Sequence, residues 1–213
     1  MTDPGQNRFD RGVELAATVL LALAAVASAW AVYQGATWRG EQARAGSKSI
    51  AARVESTRAA NVMNRQTQID VALFTQWVDA YARDETELAA FYRKRYREEF
   101  QPAFDAWVAT KPRTNPRAPL SPFVMPQYKL AASATSERLE ATAATLSQRA
   151  GDYIHRADNY ALASVLFAGA LFFAGICTRL HARAPRIVIL GLGYTLFLGT
   201  VLWIVTFPVH LNV

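Results

Sequence analysis

The sequence has 213 residues, 52% of them hydrophobic, and a formal charge of +6. That charge does not describe a nucleic-acid binder, because acids are interleaved with the basic residues at almost every turn and leave no basic stripe for phosphates. The average composition looks globular, but residues 39–158 hold 18 of the 23 Lys and Arg and 14 of the 17 Asp and Glu. This partition is what lipid produces when it expels charge from everything except one polar insertion.

Residues 1–12, with Arg8 and Arg11, read as a cytoplasmic N-terminal tail. An apolar run of 19 residues follows, Leu15–Tyr33, close to the roughly 20 residues that span a hydrocarbon core. It predicts a first transmembrane helix over 13–35, with Trp30, Tyr33 and Trp38 in the headgroup layer. Ala27-Ser28-Ala29 also has the form of a signal-peptide cleavage site. The run continues through Trp30, Ala31 and Val32, and Glu14 stands at its start, so an uncleaved anchor is the preferred reading.

Residues 36–160 form the polar insertion, expected as an extracytoplasmic helical arm. From Thr37 to Phe100 there is no proline, and Ala, Arg, Glu and Gln, all good helix formers, dominate. The first span is therefore expected to continue as one long helix to Arg83 or Asp84, where Arg-Asp-Glu-Thr offers a stop. Ala43, Ile50, Thr57, Asn64, Val71 and Val78 recur every seven residues on it and are the expected seam. Thr57, Asn64 and the neighbouring Asn61 and Gln68 make the middle of that seam polar, a pattern that fixes register.

The apex carries aromatic residues at helical spacing: Phe91, Tyr92, Tyr96, Phe100, Phe104 and Trp107. Arg93, Lys94, Arg95 and Arg97 fill another face, and Pro102 must begin or kink a helix. This stripe reads either as a small core where the chain folds back or as a docking site for a protein partner. Five prolines, from Pro112 to Pro126, then make a stiff loop over 111–127. Helix formers return without a proline from Tyr128 to Leu180. Leu139, Leu146, Tyr153 and Tyr160 keep a period of seven, with Ala143, Ala150 and Ala157 four positions after the first three. Large and small residues alternating in this way suit an antiparallel coiled-coil hairpin.

The second span is expected over 161–178 and the third over 187–209, joined by a basic loop at 179–186. Arg179, Arg183 and Arg186 place that loop in the cytoplasm by the positive-inside rule. The N-terminus is then cytoplasmic, and the arm and the short tail 210–213 are extracytoplasmic. Gly191, Thr195 and Gly199 on the third span, and Ser164 and Ala168 on the second, form ridges of small residues for close helix packing, within the chain or between copies. The fold class expected is thus an all-α membrane protein with three transmembrane helices and a long antiparallel helical hairpin between the first and second.

No sequence pattern for catalysis, a cofactor or a metal is present. There is no phosphate loop, no dinucleotide-binding glycine pattern, no paired-histidine motif and no nucleophile elbow. His155, His181 and His210 are scattered, and the single cysteine, Cys177, reads as a small apolar filler. Tyr33-Gln-Gly-Ala-Thr-Trp-Arg-Gly and Phe74-Thr-Gln-Trp-Val-Asp-Ala-Tyr resemble segments of uncharacterised bacterial integral membrane proteins, a likeness that implies no activity. Two spans flanking an extracytoplasmic insert also resemble bacterial membrane sensors in architecture, without a cytoplasmic output domain. The function expected is that of a non-enzymatic, membrane-anchored scaffold that associates with itself and presents the arm to a partner. An oligomeric pore and an accessory subunit of a larger membrane complex are the alternatives. The partners expected are the lipid bilayer, further copies of the chain and a protein at the arm apex, with no nucleic acid.

Overall fold

The computed structural model describes the backbone of residues 4–180 and 182–209, and side chains from residue 11 onward. The side chain of Arg8, and His181, His210 and the rest of the tail 210–213, lie outside the described residues. Among those described there are five α-helices and no strand. They are α1 (Pro4–Ala82), α2 (Thr86–Arg93), α3 (Gln101–Ala109), α4 (Ala131–Cys177) and α5 (Arg183–Ile204), with a short 3-10 turn at Pro122–Val124. Three of them, α1, α4 and α5, are long and apolar enough to cross a membrane.

The helix limits have local causes. α1 runs 79 residues because nothing between its first turn and Ala82 removes a backbone donor. It ends where Asp84 takes a left-handed φ of 59°. The Asp84 amide donates to the Tyr81 carbonyl at 3.3 Å and the Glu85 amide to the Ala80 carbonyl at 3.0 Å. This is the paired closure that usually takes glycine at the position Asp84 holds. Pro102 lies in the first turn of α3, where its missing N–H costs nothing. α5 begins at Arg183, so Arg183 and Arg186 of the expected loop belong to its first two turns.

The chain divides into two compact units, residues Met1–Ser47 with Leu146–Val213, and residues Lys48–Thr145. In the first, small residues face inward: Ala17, Ala24 and Ala31 of α1, and Ala157, Ala163, Ala170 and Ala174 of α4, are fully buried. Large aliphatic and aromatic residues face outward, with Leu15, Val26, Val165, Phe172, Leu202 and Val205 all well exposed. Lipid tails are as apolar as leucine, so such helices gain by close backbone approach rather than by hiding large side chains. Gly193 shows how close that approach is. A Cβ there would stand 3.0 Å from Leu20 Cδ2 and 3.3 Å from Phe173 Cβ. Tyr194 OH donates to the Ala16 carbonyl at 2.9 Å, and Tyr160 OH to the Pro208 carbonyl at 3.2 Å.

In the second unit serines join α1 to α4. Ser49 Oγ donates to the Ala143 carbonyl at 2.8 Å, and the hydroxyls of Ser56 and Ser136 lie 3.0 and 3.1 Å from each other's backbone carbonyls. Each such bond contributes about 1 kcal/mol, and each is possible only because both contact faces are small. The buried face of α1 is Ser49, Ser56, Asp70 and Trp77, which keeps the expected period of seven but sits one residue earlier. Ile50, Val71 and Val78 are exposed instead, as are Ala43, Thr57 and Asn64. A shift of one residue turns the helix by about 100°. The β-branched residues therefore lie off the contact, because they would hold the two backbones apart.

Candidate functional site

The end of the second unit is built around aromatic rings. Phe100, Phe104, Tyr96, Trp77 and Trp107 are buried together, with Phe74, Phe123 and Tyr128 packed against them. Phe100 is central, with ring centroids 4.9 Å from Tyr96, 5.2 Å from Phe123 and 5.8 Å from Tyr128. Trp77 and Phe104 meet edge to face at 4.8 Å, a geometry that adds to what area burial alone supplies. Of the six aromatic residues singled out in the sequence, Tyr96, Phe100, Phe104 and Trp107 thus lie inside. Tyr92 is half-buried, and Phe91 is exposed with the Arg95 guanidinium 3.3 Å over its ring.

A polar network pins this cluster to the long helices. Asp70 is fully buried on α1. Its Oδ2 accepts from Arg97 Nη1 at 3.0 Å and from Tyr128 OH at 3.2 Å. Arg97 Nη2 also donates to Glu99 Oε2. Glu99 Oε1 in turn accepts from the amide of Ala131 at 3.0 Å, placing a carboxylate at the N-terminus of α4, where the helix dipole favours it. One arginine therefore links α1, the turn between α2 and α3, and the start of α4. Burial pushes the Asp70 carboxyl above its ordinary value, and the Arg97 charge and the Tyr128 hydroxyl offset only part of that cost. Burial likewise pushes the Tyr96 and Tyr128 hydroxyls up, so both stay protonated near neutral pH.

The sequence held a signal for Asp70. It is the lone acid on α1 between Glu55 and Asp79, and it shares its heptad position with Ser49 and Ser56. Nothing comparable marks Arg97, which stands among four basic residues of the same segment.

Beside the cluster the surface opens into a cleft of about 450 Å³ between the last turns of α1 and the proline-rich loop. Trp77, Val78 and Tyr81 form one wall, and Pro116, Pro119 and Leu120 the other. The loop is held in place by its own backbone. Trp107 Nε1 donates to the Pro119 carbonyl at 2.7 Å, Asn115 Nδ2 donates to the Thr110 carbonyl at 3.0 Å, and Asn115 Oδ1 accepts from the Arg117 amide at 3.0 Å. Arg113 stands over the Tyr81 ring, 5.1 Å from its centroid, and reaches Asp84 at 3.5 Å. Leu120, at 95% exposed, projects from the rim.

The small-residue ridges of the first unit have a different placement. Gly191, Thr195 and Gly199 are exposed, and a Cβ added at Gly191 or Gly199 would meet nothing within 4 Å. Ala168 is exposed and Ser164 half-buried, with the Ser164 carbonyl 3.5 Å from Ser28 Oγ. The contacts inside the chain use Gly193 and Gly169 instead; a Cβ added at Gly169 would stand 3.0 Å from Leu196 Cδ2. Thr195 and Gly199 line an apolar groove of about 480 Å³ together with Leu166, Phe173, Leu192 and Trp203.

Among the described residues there is no group of three His, Cys, Asp or Glu able to hold a metal ion. The buried Asp70 is engaged in fastening α1 to Arg97 and Tyr128. Models of protein families, curated proteins and solved structures were compared with this chain, and none matches it.

Proposed function

We propose that this chain is a non-enzymatic scaffold of the membrane. Three transmembrane helices anchor it, and a long antiparallel helical hairpin between the first and second presents an interaction surface on the extracytoplasmic side. The observation that carries this reading is the division of labour at the end of Lys48–Thr145. Most of the aromatic rings there, with Asp70, Arg97 and Glu99, are spent on internal fastening, and the surface keeps a cleft with a proline wall, flanked by exposed charged side chains. A stiff preformed cleft of this kind suits binding, because little ordering entropy is lost on contact. The constant sum of residue numbers at the serine contacts, Ser49 with Ala143 and Ser56 with Ser136, supports the antiparallel course of α1 and α4 in this unit.

The interaction surface then lies beside the aromatic stripe and not on it. Replacing Tyr96 and Phe100 by alanine removes core, whereas Tyr81, Val78 and Leu120 are accessible without loss of packing. A photoactivatable amino acid at position 120, illuminated in native membranes, is expected to give covalent adducts with protein. A chain that forms none, while remaining folded and abundant, contradicts the scaffold reading.

A further inference from the structure

The surface around the cleft complements itself. It has a hole, the space between Val78 and Tyr81 on one side and Pro119 on the other, and beside it a knob, Leu120, which makes almost no contact with its own chain. It also has two charged margins. The turn into α2 carries Asp84, Glu85 and Glu87, all exposed, and the proline-rich loop carries Lys111, Arg113 and Arg117, also exposed. From Ala106 to Ser136 there is no acid at all, so the basic margin is not neutralised by its own loop. Across the margins Arg113 meets Asp84 at 3.5 Å between two largely exposed side chains, a weak contact.

A contact about a two-fold axis brings residue i of one copy to residue j of the other, and j to i. A patch with a hole beside a knob and an acidic margin beside a basic one meets that requirement twice over. We infer that the occupant of this cleft is a second copy of the chain, with Leu120 of each protomer seated in the cleft of the other and the acidic turn of each facing the basic loop of the other. This rests on the scaffold reading and names its first partner. Charge complementarity selects the second copy over an anionic bilayer, which the acidic turn would repel, and over a purely apolar ligand, which would use neither margin.

The test uses the full-length protein in detergent and native mass spectrometry. One variant carries Arg113→Glu and Arg117→Glu, so both of its margins are acidic. The other carries Glu85→Lys and Glu87→Lys, so both are basic. All four positions are exposed, and the first set gives up only the surface contacts of Arg113 with Tyr81 and Asp84. Wild type is expected to be dimeric and each variant alone to dissociate at least about tenfold more readily, because like charges then oppose across the contact. Mixing the two variants is expected to restore a heterodimer. Leu120→Asp, at a side chain 95% exposed, is expected to give monomer by itself. If every variant stays dimeric, the copies meet elsewhere, and this assignment falls while self-association stands. Two monomeric variants that give no heterodimer exclude the reciprocal contact. A wild type that is monomeric throughout removes the inference and the self-association in the scaffold reading together, without touching capture of a different protein.

Discussion

The two compact units solve opposite packing problems with the same two long helices. In Met1–Ser47 with Leu146–Val213, alanine and glycine face inward while leucine, valine and phenylalanine face out. At the end of Lys48–Thr145 the largest rings in the unit, Phe100, Phe104, Trp77 and Trp107, are inside, and charged side chains cover the surface. The difference lies in the solvent each unit is built for. In water, burying a ring stabilises by removing apolar area from solvent. In lipid that gain vanishes, and contact must come from how closely the backbones approach. The stretch with Ser49 and Ser56 combines both features, since it is polar outside yet packed through small residues that bond to the opposite backbone.

This contrast can be broken at either end. The largest effect is expected at the ring cluster, where Phe100→Ala should lower the stability of the Lys48–Thr145 unit by about 4 kcal/mol, read as loss of tryptophan fluorescence change on denaturation. Arg97→Ala comes next. It strands the fully buried Asp70 and should cost about 3 kcal/mol, and adding Asp70→Asn to it should recover part of the loss. In the other unit, Gly193→Val forces side-chain atoms into Leu20 and Phe173 and should cost about 2 kcal/mol. Gly199→Val, which meets nothing within the chain, should leave thermal unfolding in detergent unchanged. The smallest effect concerns pH. Because the folded Asp70 carboxyl titrates above its ordinary 3.8, the folded state takes up this proton before the unfolded chain does. Its ionisation therefore weakens the fold at neutral pH. Acidification through the folded value and down towards 3.8 should relieve that cost. Asp70→Asn should remove this component from the pH dependence of unfolding.

Much of the helical course was legible in the sequence. A proline-free stretch of helix formers predicts α1 to within two residues of its end, and Leu139, Leu146 and Tyr153, half-buried, lead to the fully buried Tyr160 on the face of α4 beside its buried alanines. The seam on α1 was not legible in the same way. Period alone leaves the choice between Ile50, Val71 and Val78 and the set one residue earlier, and hydrophobicity favours the former. The structure takes the latter because serine can approach a facing carbonyl and β-branched side chains cannot. The third span has the same ambiguity. Gly191, Gly193 and Gly199 look alike in sequence, yet only Gly193 faces Leu20 and Phe173, and which glycine does so depends on a rotation about the helix axis that nothing local encodes. The aromatic stripe was legible as a cluster, but its place inside rather than at the surface follows from the folding back of the proline-rich loop, which Trp107 secures through the Pro119 carbonyl.

A scaffold of this kind requires the end of the Lys48–Thr145 unit to lie on the extracytoplasmic side when α1, α4 and α5 cross a membrane. Cys177 is the sole cysteine and is buried, so Leu120→Cys introduces a single accessible thiol. Intact cells expressing that variant should be labelled by a membrane-impermeant maleimide, and cells expressing the wild-type chain should not. Labelling of the variant only after permeabilisation would place the cleft in the cytoplasm and contradict the account.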